Sequence, residues 1–229
     1  MHNYLIYGIG FFSQFLFFGR NIVQWFKSEH EGQVLSPSLF WKISLIASIL
    51  MLTYGILRQD AAILIGQLLV YFIYVRNLQL KKVWKPMNPI LRILIVAMPF
   101  LILGYLFFGT DYTPSTFLKN ENNPLGLMIW GITAQLVFIS RFFYQWIYSE
   151  NRKESLLPMG FWVISVCGSI MNLIYGAFRL DPVLIAAHSM GMFIYLRNIL
   201  IHLNKRSLFQ RIDIPVVNKF IALISGKIK

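Results

Sequence analysis

Gln24-Trp25-Phe26-Lys27-Ser28-Glu29 recurs 121 residues later as Gln145-Trp146-Ile147-Tyr148-Ser149-Glu150. At that offset the flanking sequence aligns without a gap, Gly10 to Lys81 against Gly131 to His202, and 26 of the 72 paired positions are identical. Chance similarity between two apolar segments would pair Leu with Ile at scattered positions. Most of the matches here are instead polar, aromatic or conformational. They include Gln14/Gln135, Arg20/Arg141, Pro37/Pro158, Trp41/Trp162, Ser44/Ser165, Ser48/Ser169, Tyr54/Tyr175, Gly55/Gly176, Tyr74/Tyr195, Arg76/Arg197 and Asn77/Asn198. One unit of about 70 residues is therefore used twice, in the same direction.

Composition decides the class. The chain is 57% hydrophobic and only 13% charged, with a mean hydropathy of +0.60, whereas a soluble domain carries about 25% charged residues. Apolar runs of spanning length, about 20 residues, fall at 4–26, 38–57, 61–80, 90–108, 125–148, 159–178 and 182–203. The expected fold is an all-α integral membrane protein. Its seven transmembrane helices form two parallel three-helix bundles joined by a linker helix. The expected divisions are a first repeat over 4–81, a linker with the fourth helix over 82–124, a second repeat over 125–203 and a basic amphipathic tail over 204–229. The first run is long enough to span and lacks a positive leader, so it reads as a retained helix.

Charge gives the expected orientation. The formal net charge is +12. Five basic residues and no acid lie between Arg76 and Arg92, and seven basic residues accompany one acid from Arg197 onward. The positive-inside rule puts both stretches in the cytoplasm and the N-terminus outside. The basic residues flank apolar runs and form no single stripe, which argues against nucleic acid. Cys167 is the only cysteine, so no disulfide framework or thiolate metal site is expected, and no cofactor is implied.

Polar residues inside spanning helices are costly and mark partners or cavities. The first helix carries Gln14, Arg20 and Gln24, and the fifth repeats them as Gln135, Arg141 and Gln145. Arg20 and Arg141 either snorkel to the headgroups or line a cavity for an anionic headgroup, whose phosphate a guanidinium matches bidentately. With Ser28, Glu29, Ser149 and Glu150 at the same helix ends, and Arg76-Asn77 and Arg197-Asn198 at the same level, each repeat would assemble a polar mouth if its first and third helices touch. Glu29 and Glu150 otherwise read as solvated. Near mid-membrane stand Gln14 and Gln135, Gln67 with its counterpart His188, and Asn172, which stands where the first repeat has Met51. They read as interhelical hydrogen bonds or as contacts to a ligand in a midplane cavity. His188 has no second ligand at metal spacing. Ser44, Ser48, Ser165 and Ser169 read as helix-packing surface. Arg58/Asp60 and Arg179/Asp181 read as local ion pairs and caps. No nucleophile elbow, phosphate-binding glycine loop or zinc motif is present.

The succession Gln-Trp-x-x-Ser-Glu, Pro, Phe-Trp, Ser, Tyr-Gly, Arg-x-Asp and Arg-Asn resembles the lipid A biosynthesis N-terminal domain, here as a tandem over 10–81 and 131–202. That module is similar to the PQ-loop, SWEET and SemiSWEET proteins, and the three-one-three layout resembles the full-length SWEET arrangement. The chain has no Pro-Gln dipeptide and no proline inside its first and fifth runs. The resemblance implies a multi-pass protein of the bacterial inner membrane, working in envelope glycolipid metabolism. Its expected partners are the bilayer and a lipid-linked sugar or lipid A precursor. Two roles follow: translocating that lipid, or anchoring and presenting substrate for a glycosyltransferase such as a lipid-A-disaccharide synthase. A catalytic role of its own is the weaker implication.

Overall fold

The computed structural model describes residues 2–58, 61–108, 125–178, 180 and 182–203. The described residues form seven helices: α1 (His2–Glu31), α2 (Ser38–Arg58), α3 (Ala61–Leu80), α4 (Pro89–Phe108), α5 (Leu125–Arg152), α6 (Met159–Phe178) and α7 (Pro182–His202). No strand occurs among the described residues. Among the described residues, two helices are long and apolar enough to cross a membrane: Ser38–Leu57 and Met159–Phe178, with mean hydropathies of 1.7 and 1.6. The 109–124 loop, the 204–229 tail, and the expected pairs Arg58/Asp60 and Arg179/Asp181 lie outside the described residues or side chains.

The helix boundaries follow the apolar runs except at the ends of α1 and α5. There the helices continue to Glu31 and Arg152, so the repeated motif is helical instead of opening a loop. The reason is its spacing. Gln24 and Ser28, Trp25 and Glu29, and Gln145 and Ser149 are each four apart, and all three pairs are hydrogen bonded along the helix. Residues at i and i+4 share a face. Gly32 and its counterpart Lys153 then adopt φ of 66° and 53°, the left-handed conformation that closes a helix C-terminus.

The backbone clusters into two compact units. The first comprises Met1–Phe17 and Lys42–Asn123; the second comprises Phe18–Trp41 and Pro124–Lys229. In the first unit, α1 meets α2 through Ser13 Oγ, which donates to the Ala47 carbonyl (2.7 Å). Gly10 is in close contact too, since a Cβ there would lie 2.8 Å from Tyr54 Cε2. The α4 helix begins on an Asn88 cap, whose Oδ1 accepts from Ile90 N (2.8 Å). It contains Pro99, which has no N–H for the Ile95 carbonyl one turn earlier. The Tyr71 hydroxyl of α3 donates to that carbonyl instead (2.8 Å). This hydrogen bond fastens α4 to α3 at the place where α4 is weakest.

The second unit repeats part of this packing. A Cβ at Gly131 would lie 2.6 Å from Tyr175 Cε2, reproducing the Gly10/Tyr54 contact 121 residues later. Gly168 lets α6 approach the backbone of α5, since a Cβ there would lie 2.8 Å from Phe138 Cα. Asn172 donates to the Ala134 carbonyl of α5 (3.2 Å) and to Gly168 O (2.8 Å).

Polar and charged side chains are buried beside the apolar core. Arg20, Gln24, Ser28, Glu29, Arg141, Gln145, Ser149 and Asn198 are all buried. Phe11, Phe15, Ile93, Phe100, Leu136 and Ile147 are each more than half exposed.

Candidate functional site

The ends of α1 and α5 tie the same knot. Gln24 Nε2 lies 2.8 Å from Ser28 Oγ and 3.2 Å from the Leu35 carbonyl, and Leu35 N donates to Ser28 Oγ (3.0 Å). In the second copy Gln145 Nε2 donates to Ser149 Oγ (2.7 Å) and to the Leu156 carbonyl (2.9 Å), and Leu156 N donates to Ser149 Oγ (3.0 Å). The returning chain would otherwise bury an unpaired carbonyl and amide. The Gln and Ser side chains satisfy both.

The first copy of this knot is clasped by α7. Gln24 and Asn198 exchange amide hydrogen bonds of 2.8 and 3.2 Å. Arg197 donates through Nη2 to Glu29 Oε2 (3.0 Å) and through Nε to Glu29 Oε1. Trp25 Nε1 also donates to Glu29 Oε1 (3.0 Å), and its ring meets Phe193 edge-on. Glu29 is completely buried. The expectation of a solvated Glu29 is therefore corrected: a bidentate arginine takes the place of water. The expected mouth within one repeat is corrected as well. The Arg-Asn pair that serves α1 comes from the second repeat, because Arg76-Asn77 and Arg197-Asn198 are chemically identical and sequence cannot choose between them. Glu150 is partly exposed and pairs with Lys153 (3.0 Å). Arg76 donates to Gln79 Oε1 (3.0 Å) near the surface, and Asn77 is buried and donates to the Ile73 carbonyl.

Arg20 and Arg141 are each only 4% exposed, too buried for snorkelling. The Arg141 guanidinium lies 3.6 Å from the Phe138 ring centroid, with Phe142, Phe161 and Tyr195 at 4.9, 5.4 and 5.4 Å. Its Nη1 donates to Ser165 Oγ (3.2 Å). Arg20 lies 5.0 Å from the Phe40 ring and 5.3 Å from Phe142. Both guanidiniums thus converge on Phe142. Aromatic faces stabilise a desolvated cation by about 2 kcal/mol, and a guanidinium keeps its charge at any relevant pH. The arrangement holds two permanent cations close together in a buried setting. A guanidinium can pair with an anion but is not a group that shuttles protons.

The residues expected at mid-membrane divide. Ser48 Oγ donates to Gln67 Oε1 (2.9 Å), and His188 Nδ1 lies 3.2 Å from Ser169 Oγ. These pairs occupy equivalent positions and link the second helix of each repeat to the third. Asn172 is taken up by the α5–α6 contact. Gln14 and Gln135 are exposed and do not join the buried set. Residues not anticipated include Ser36, which bridges Trp41 Nε1 (2.7 Å) and Ser155 Oγ (3.0 Å). The Phe rings around the arginines were also missed, although Phe17/Phe138 and Phe40/Phe161 are identical between the repeats.

The model of the Lipid A Biosynthesis N-terminal domain family matches residues 9–79 and again residues 130–200. The chain belongs to this family. The two Lipid A Biosynthesis N-terminal domains coincide with the two repeats. They carry the knots, both buried arginines and the clasp. Among curated proteins the chain is similar to lipid-A-disaccharide synthases. It is 31% identical to that of Chlamydia muridarum over 85% of this chain and 33% of the relative. It is 31% identical to that of Chlamydia abortus (89% and 34%) and 26% identical to that of Chlamydia pneumoniae (86% and 33%). The chain thus spans about a third of the length of these relatives. No solved structure matches it.

Proposed function

We propose that the chain is a multi-pass inner-membrane protein of lipid A-type glycolipid metabolism that binds a phosphate-bearing sugar lipid and moves it across the bilayer. The observation that carries this reading is the convergence of Arg20 and Arg141 on Phe142. The guanidiniums lie 5.3 and 4.9 Å from the same ring centroid, so an anion bound beside both would be attracted by each. A phosphate group suits the planar fork of each guanidinium. Exposed apolar surface supports the bilayer setting. The equivalent arginine in each repeat supports a site built by pairing repeats, as in transporters whose repeats rock about a central site. The cytoplasmic side is assigned to the 81–89 loop and the C-terminus. In a Cys167→Ala background, cysteines at Lys82 and Lys205 should label only from the cytoplasm, and a cysteine at Asn120 only from outside. The inverse labelling overturns the orientation.

A second reading is favoured by the relatives. The match covers a third of chains named for disaccharide synthesis, so the tandem would hold and present the lipid to a glycosyltransferase. Proteoliposomes separate the two. Movement of a labelled lipid-linked sugar by the purified chain alone supports translocation. Turnover only with an added glycosyltransferase, and no movement without it, supports presentation.

A further inference from the structure

We propose that the groove where the α3–α4 connection meets α4 binds one phospholipid with a negatively charged headgroup. The proposal takes its bilayer setting from the reading above but none of its residues. The groove has a volume of about 470 Å³ and is lined by Trp84, Pro89, Arg92, Ile93, Val96 and Ala97. Five of these fall at one-turn intervals on a single face of α4. From Pro89 to Ala97 the helix rises about 12 Å. Along that path the lining changes from cationic to purely apolar: Arg92 lies in the first turn, and Ile93, Val96 and Ala97 continue from it. Trp84 forms the buried side wall. This is the shape and polarity of an amphiphile with its headgroup at the helix start.

Two observations give the sign of the headgroup. Arg92 Nε is buried and has no hydrogen-bond partner among the described residues, a state that a buried donor rarely keeps in a finished structure. Lys81, Lys82 and Lys85 lie in the adjoining connection, and no acidic residue occurs from Arg76 to Arg92. A zwitterionic headgroup would bring its own cation into this cluster. An anionic one, such as phosphatidylglycerol, brings a phosphate and no cation.

The test uses the whole chain in nanodiscs of mixed phosphatidylglycerol and phosphatidylcholine, with native mass spectrometry of the released protein. The wild type should retain one phosphatidylglycerol in preference to phosphatidylcholine. Arg92→Gln should reduce that retention about tenfold, as expected when one charged hydrogen-bond donor is lost. Ala97→Phe should reduce it as well, by filling the apolar end without changing any charge. Brominated phosphatidylglycerol should quench the fluorescence lost in Trp84→Phe more strongly than brominated phosphatidylcholine does. This measurement on the wild type stands even if a variant fails to fold. Arg20→Lys and Arg141→Lys should keep the adduct, so a failed glycolipid site leaves this one intact. Equal retention of the two lipids, an unchanged Arg92→Gln, or displacement of the adduct by inorganic phosphate alone would each overturn the proposal.

Discussion

Replacing Glu29 by glutamine tests the clasp between α1 and α7. The Glu29 side chain is 0% exposed and that of Arg197 8% exposed, so each charge has surrendered its water to the other. Removing one partner of such a pair costs about 3–5 kcal/mol, because the survivor stays buried and uncompensated. Glu29→Gln keeps the side-chain shape and an acceptor for Trp25, so this loss isolates the charge. Arg197→Met should cost a similar amount by stranding Glu29. The double variant strands neither, and its cost should fall below the sum of the two by about 2–3 kcal/mol. The Lys153–Glu150 pair supplies an internal comparison. It has the same 3.0 Å separation as the Arg197 Nη2 bond, but its side chains are 74% and 29% exposed. Lys153→Met should therefore cost no more than about 0.5 kcal/mol. The assay is unfolding of the purified protein in one detergent, followed by tryptophan fluorescence, for all four variants. A Glu29→Gln cost no larger than that of Lys153→Met, or simple additivity of the Glu29 and Arg197 effects, would show that the buried pair is not a coupled one.

Three further outcomes follow from the packing. Tyr71→Phe should lower stability by about 1–3 kcal/mol by stranding the Ile95 carbonyl, and Pro99→Ala should remove most of that loss by restoring the helical donor; a double-mutant cycle reads this coupling. Trp41→Phe should cost about 1 kcal/mol more than Trp162→Phe, measured by thermal midpoint. Trp41 Nε1 donates to Ser36, whereas Leu157 occupies the equivalent position and Trp162 Nε1 has no hydrogen-bond partner among the described residues. Gly168→Ala should destabilise by about 1–3 kcal/mol, because the new Cβ meets the Phe138 backbone and something must move; a neutral result would show that α5 and α6 are not that close.

Much of this was legible because the chain states its unit twice. Gly10 and Tyr54 recur as Gly131 and Tyr175, and the structure presses each glycine against its tyrosine. Gln24 and Ser28 recur as Gln145 and Ser149, and both pairs tie back the returning chain. Hydropathy placed the helices, since each apolar run must end where polar backbone can be satisfied. Three things were not legible. An identical Arg-Asn pair ends both α3 and α7, so choosing Arg197 as the partner of Glu29 is a tertiary decision. Pro99 sits unmarked within an apolar run, and its compensation by Tyr71 depends on how α3 and α4 cross. Phe40 recurs as Phe161 beside the arginines, whereas the shared Phe142 stands opposite Asn21, and phenylalanine in an apolar helix gives no sign that it faces a guanidinium.

On the proposed reading, Arg20 and Arg141 hold one phosphate between them. Equilibrium binding of a radiolabelled, phosphate-bearing lipid A disaccharide precursor to the purified full chain tests it directly. With phosphatidylglycerol in excess, one labelled lipid should bind per chain, and Arg20→Lys and Arg141→Lys should each weaken that site about tenfold, since lysine lacks the planar fork. Unchanged affinity in both variants would contradict it, as would two independent lipids per chain with each variant losing only one.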